Sequence, residues 1–128
     1  MGASIHTYEW NNGRLTHLSD TSILPSDTAE GSGSAIRISQ NGRFLYAADR
    51  ATKSIVVLEA DGESLTFVQR VDCHGKEPRD ILLICNDSHL ICANQFSDSC
   101  SLFKVHENGT LTYINSFNIP APISVLGI

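Results

Sequence analysis

Apolar and polar residues alternate along most of this chain with the period of two that belongs to β-strands, whose successive side chains point to opposite faces. In "IRISQNGRFLYAAD", Ile36 and Ile38 alternate with polar neighbours and Asn41-Gly42 supplies a tight turn that tolerates positive φ. Phe44 to Ala48 then continues as a second strand. Asn12-Gly13, Asp61-Gly62 and Asn108-Gly109 play the same turn role elsewhere. No convincing helical stretch interrupts this pattern, and "TSILPSDTAEGSGS" (21–34), polar and rich in Gly and Ser, reads as a loop.

The strands recur as a repeat. "SIHTYEWNNGRLTHL" (4–18), "SIVVLEADGESLTFV" (54–68) and "SCSLFKVHENGTLTYI" (99–114) share a small Ser, an alternating strand, a turn, and a second strand. Their marker residues Leu15, Leu65 and Leu111 fall at intervals of 50 and 46 residues. A second pair, "AIRISQNGRFLYAADRATKS" (35–54) and "DILLICNDSHLICANQFSDS" (80–99), repeats at 45. A unit of four short antiparallel strands, here A to D, returning at this spacing is the pattern of a β-propeller blade. A sandwich accounts for the strands but not for the fixed spacing.

The phase of the repeat divides the chain into the end of one blade plus a loop (1–32), two full blades (33–75 and 76–119) and a closing strand (120–128), eleven strands in one partial propeller domain. The fold class expected is therefore all-β, a partial propeller of about two and a half blades. Propellers close with about 4 to 8 blades, so the chain is expected to belong with missing N-terminal blades or to form a homo-oligomer, because an open stack presents unpaired edges.

Charge and composition narrow the function. A formal charge of −5, with nine Lys and Arg scattered along the chain, excludes the basic stripe of a nucleic-acid binder. The longest apolar run, Ile81 to Cys85, is too short to cross a bilayer and no signal-peptide pattern opens the chain, so a cytoplasmic protein without a membrane partner is expected. Cys73, Cys85, Cys92 and Cys100 show no CxxC pair and read as small core thiols in a reducing compartment. The five histidines (His6, His17, His74, His89, His106) include no HExxH and no pair on one strand face with a carboxylate at ligand spacing. No metal or cofactor is therefore expected. Ser32 and Ser34 in "EGSGSA" resemble a GxSxG elbow by letters only, and the same Gly-rich loop lacks the Lys-Ser/Thr ending and following helix of a phosphate cradle.

In an up-and-down blade the D–A and B–C connections share one face. That gathers "HGKEPRD", "DRATKS" (49–54) and "NQFSDS" (94–99) near the channel, and leaves plain turns such as "SQNG" and "HENG" on the other face. Arg79, Arg50, Asp49, Asp80, Asn94, Gln95 and Lys76 form a candidate polar cup on this rim. Arginine suits bidentate capture of carboxylate or phosphate. Structural ion pairs between blades are the competing role for Arg50, Arg79 and the aspartates. His74, near the rim, is a candidate base or a solvated loop residue.

"AIRISQNGRFLYAADRATKSIVVLEAD", "GKEPRDILL", "LICANQFSDSCSLFKV" and the closing "IPAPISVLGI" resemble the C-terminal third of the lactonase-type seven-bladed propellers. That family includes 6-phosphogluconolactonases and 3-carboxy-cis,cis-muconate lactonizing enzymes. The resemblance implies hydrolysis of a small anionic sugar lactone at the channel mouth, or the related cycloisomerisation, with fixed positive charge stabilising an oxyanion. It makes Arg79 of "PRD" and Arg50 of "DR" the candidate anion-binding residues, with Asn94 and Gln95 as hydrogen-bonding partners. The family's channel-facing His and Glu candidates for acid–base work come from earlier blades. Two other roles compete: a non-catalytic binding scaffold, which lacks the Gly-His and Trp-Asp signatures of common protein-binding propellers, and a self-assembling fragment.

Overall fold

The computed structural model describes residues 2–25 and 30–128; residues 26–29, inside the loop expected at 21–34, lie outside it. Ten strands follow one another: β1 (Ser4–Asn11), β2 (Arg14–Ser22), β3 (Gly33–Ile38), β4 (Phe44–Asp49), β5 (Ser54–Asp61), β6 (Ser64–Asp72), β7 (Pro78–Ile84), β8 (His89–Asn94), β9 (Ser99–Val105) and β10 (Leu111–Asn118). A 3₁₀ turn at Gln95–Ser97 is the one helical piece among the described residues. The strands pair in sequence order, all antiparallel, as a hairpin β1–β2 and two four-stranded sheets, β3–β6 and β7–β10. These sheets are the two complete blades. The inner strands β3 and β7 lie against each other across the blade boundary.

The repeat seen in the sequence reappears in the ladder, down to its irregularities. Each C–D pair carries a bulge at the same place, so that Leu18, Val68 and Ile114 have no partner on the facing strand. Each blade end is tied by the same backbone bond, Ile23 N to Ala3 O, Cys73 N to Lys53 O, and Ile119 N to Asp98 O, at 3.0, 2.9 and 3.0 Å.

Period-two alternation decides which blade each side chain meets. Ile55 and Val57 of β5 face the second blade and share its core with Ile81, Leu90, Cys92 and Phe103. Val56 and Leu58, from the alternate positions, face the hairpin and pack with Ala3, Ile23 and Leu45. Each of the fully buried aliphatic or aromatic side chains contributes about 1.5 to 3 kcal/mol through removal from water. Polar pairs register the blades: the Tyr46 hydroxyl donates to Gly109 O (3.0 Å), and the Gln69 amide both donates to Leu111 O (3.2 Å) and accepts from Leu111 N (2.7 Å). Burial, with the nearby charge of Asp87, pushes the Tyr46 phenol up to about 12.

The eleventh expected strand does not form a ladder. Residues 120–128 instead run beside β7, where Val125 N donates to the Asp80 carboxylate at 2.9 Å. A backbone donor committed to a side chain is not available to a sheet. Tyr8 and Trp10 stand 50% and 67% exposed on the hairpin.

Candidate functional site at the mouth of the inner strands

Both inner strands begin with a bulge. In β3, Gly33 faces Asp49 and Ala35 faces Ala48, which leaves Ser34 without a cross-strand partner. In β7, Pro78 faces Asn94 and Asp80 faces Ala93, which leaves Arg79 in the same position 45 residues on. A bulge re-aims the side chain it carries and is common beside functional sites. Arg79 is exposed and makes no ion pair or side-chain hydrogen bond among the described residues.

The expected sharing of one face by the D–A and B–C connections is realised through backbone bonds. Arg50 N donates to Ser32 O (2.9 Å) and Gln95 N donates to Glu77 O (3.0 Å), the same bond in each blade. Phe96 N donates to Lys76 O (3.1 Å), while Lys76 N is held by Ser97 Oγ at 2.9 Å. Arg50 crosses the blade boundary: one guanidinium nitrogen meets Glu77 at 3.1 Å and the other donates to Ser32 Oγ at 2.7 Å. Its Nε is buried and has no partner among the described residues. Arg50, Glu77, Gln95 and Lys76 thus gather at one rim, with Arg79 two residues beyond Glu77.

Asp49, Asn94 and Asp80 point elsewhere. Asp49 is fully buried and accepts from Ser32 N (2.6 Å), Thr52 Oγ1 (2.6 Å), and the amides of Ala51 and Thr52. Asn94, also fully buried, donates to Cys73 O (3.4 Å) and Ser101 Oγ (2.8 Å), and Gly75 packs so closely on its amide that a Cβ would collide. Asp49 is directed at the turns that flank it and Asn94 at Cys73 O and the Ser101 hydroxyl of β9, because a buried polar group at a strand end must find partners within the protein. Asp80 joins Arg37 of β3 at 2.7 Å and accepts from Ser124 Oγ and Val125 N, clamping three neighbouring segments. The cup foreseen from seven side chains is therefore smaller, and the inter-blade ion pairs weighed against it account for Arg50 and Asp80. Arg37 and Glu77 were not singled out by sequence, and Ser32 stood out only for its GxSxG-like letters; Ser32 and Glu77 sit at equivalent repeat positions, and that offset was the available signal.

His74 stacks on Tyr113 of the outer strand β10 (centroids 3.7 Å apart), so it packs at the periphery. A cavity of about 480 Å³ between β1 and β3 is lined by Ser34 and Ile36 among others, and neither Arg50 nor Arg79 lines it. The expectation that no histidine pair shares a strand face with a carboxylate does not hold. The β1–β2 register sets His6 opposite Asp20 and Tyr8 opposite His17, and both imidazoles donate to one Asp20 oxygen, at 2.6 and 2.7 Å. Separation along the chain concealed a closeness that only strand pairing creates. Those bonds, His17 first and then His6, hold the Asp20 carboxyl below its ordinary range.

Known proteins match this architecture. The chain is 35% identical over 123 residues to the 6-phosphogluconolactonase of Bacillus subtilis strain 168, across 92% of this chain and 35% of that protein. It superposes on the periplasmic gluconolactonase of Pseudomonas aeruginosa with a TM-score of 0.88 and 25% identity, covering 96% of this chain and 36% of that one. A Lactobacillus plantarum protein gives a TM-score of 0.91 at 26% identity, over 95% and 38%. The chain thus spans about a third of the length of these relatives. No helix among the described residues is long and apolar enough to cross a membrane. The sequence profile of the family described as "Lactonase, 7-bladed beta-propeller" matches residues 1–126, and the chain belongs to that family.

Proposed function

We propose that this chain contributes the anion-holding rim of a propeller lactonase acting in the cytoplasm on 6-phosphogluconolactone or a related sugar lactone. The observation that carries this reading is the bulge at the start of β7, which presents Arg79 to solvent, unpaired among the described residues, beside the Arg50–Glu77 pair. In lactone hydrolysis water adds to the ring carbonyl and an oxyanion forms. The ring C–O bond then breaks, and a proton from the water passes to the released alkoxide, giving the open hydroxy acid. Arg79 would hold the anionic group of the substrate by paired N–H donors, with Lys76 as a second positive charge at the rim. Arg50, steadied by Glu77 and Ser32, is a fixed charge facing the same end of the blades, and fixed charge needs no reorganisation as the oxyanion grows. Gln95 adds an adaptable amide. The general base is assigned to no residue of this chain; family relatives about three times as long supply further blades.

Hydrolysis of 6-phosphogluconolactone, followed alongside solution mass by light scattering, tests this reading. Substituting Arg79→Ala is expected to raise KM about tenfold or more, the loss of one charged hydrogen-bonding partner. Unchanged kinetics would remove Arg79 from the site. An active oligomer would mean that copies complete one another's rim, and an inactive monomer that the reaction needs blades beyond these.

A further inference from the structure

We propose that His6, His17 and Asp20, on the β1–β2 hairpin, form a binding site for a divalent transition metal ion of the zinc class. The three donor atoms lie within 4.8 Å of one another and all three residues are exposed. Two imidazoles and a carboxylate suit zinc, which takes His and Asp ligands at about 2.0 to 2.2 Å and accepts three protein ligands with a fourth position left to water. The same set disfavours magnesium and calcium, which demand mostly oxygen. To take the ion, each neutral imidazole carries its proton on the ring nitrogen facing away from Asp20, and the three donors, already converging on Asp20 Oδ1, turn to the cation by side-chain rotation.

Two further observations favour a dedicated site. The first is a supporting group: Ser4 Oγ lies 3.3 Å from His6 Nε2, so that when Nδ1 binds the ion, Nε2–H has an acceptor that fixes the ring. The Tyr8 ring, edge-on to His17 at 5.4 Å between centroids, steadies the second imidazole. The second observation is the repeat itself. The cross-strand pairs equivalent to His6–Asp20 are Val56–Arg70 and Ser101–Ser116, and Phe67 and Tyr113 stand where His17 does. Blade architecture therefore has no need of histidine or carboxylate at these places, yet the hairpin carries all three together.

Zinc titration of the 128-residue chain by calorimetry decides the matter. One equivalent should bind; His17→Ala and Asp20→Asn should each weaken it about tenfold or more, and Ser4→Ala by less. His89→Ala, His106→Ala and Cys85→Ser should leave it unchanged, and millimolar magnesium should not compete. In the unaltered chain, zinc should shift the ring resonances of His6 and His17 together, a readout that requires no variant to fold. Absence of binding, retention of full affinity in His17→Ala, loss of it in Cys85→Ser, or unmoved His6 and His17 resonances would overturn the proposal.

Discussion

Asp49 and Asn94 end β4 and β8 at positions 45 residues apart, and each ties down the loop leading into its own blade, but with opposite hydrogen-bond polarity. Asp49 accepts four hydrogen bonds from Ser32, Ala51 and Thr52. Asn94 donates, to Cys73 O and Ser101 Oγ. The neighbouring pair differs in the same way: Arg50 reaches across to Glu77, while Gln95, its counterpart, stays within the second blade through its backbone. The bulges carry Ser34 in one blade and Arg79 in the other. A repeated backbone thus serves as a mount whose geometry is constant and whose side chains are free to vary. The chemistry of the mouth lies in the differences between blades.

The comparison breaks most visibly at Asp49. Asp49→Ala strands several buried donors at once, and urea unfolding should show a loss of about 3 kcal/mol. Asn94→Ala leaves one carbonyl and one hydroxyl short of a donor and should cost about 2 kcal/mol. An equal cost would mean that the two loops are held by packing and that hydrogen-bond polarity is incidental. Asp80→Ala comes next, at about 1 to 2 kcal/mol, because its side chain is mostly buried and its partners Arg37 and Val125 can reach water. Its sharper signature is local: the Val125 amide should exchange hydrogen faster and 120–128 should be cleaved sooner by protease, while β4 and β8 keep their protection.

Alkaline pH separates the buried acids. The Tyr46 phenol stands at about 12 against an ordinary 10.0, and the Cys73 thiol at about 11 against 9.0, both chiefly through burial. Their folded values are raised, so the unfolded chain releases these protons first. Stability is full below pH 9 and falls as pH rises from 9 toward 12. Tyr46→Phe should make this slope shallower above pH 10, leaving the thiol contribution in place, and, at neutral pH, cost about 1 kcal/mol for the hydrogen bond to Gly109 O. A slope unchanged in Tyr46→Phe would assign the whole of it to thiols.

Strand order, blade repeat and the division into two faces were legible in the sequence because each rests on local pattern: alternation, Asn-Gly turns, and Leu15, Leu65 and Leu111 at near-equal spacing. Bulges were not, since one added residue disturbs an alternating pattern no more than a neighbouring turn does. Asn94 and Gln95 look alike in "NQFSDS", yet one is fully buried and the other half-buried. Burial there is set by Gly75 and Ser101, residues from other strands. The Asp80 partners sit 43 and 45 residues away, and the histidine–aspartate cluster depends on cross-strand register. Long-range pairings are what a single sequence states least directly.

Arg79 and Ser34 offer the smallest effect on stability and the sharpest division of roles. Ser34 sits at its bulge with its hydroxyl donating to Pro78 O of the next blade, so Ser34→Ala should cost up to about 1 kcal/mol and leave anion affinity alone. Exposed Arg79 should lose less than about 0.5 kcal/mol on change to Ala, within the usual range for a surface position. If the bulge of β7 is a mount for anion capture, Arg79→Ala nevertheless weakens 6-phosphogluconate binding, and Arg79→Lys restores only part of it, because a single ammonium cannot reproduce paired N–H donation. Equal affinity in the Lys and Arg forms would reduce Arg79 to a general positive charge at the rim. Affinity unaffected by either change would leave the two bulges alike, as devices of blade packing alone.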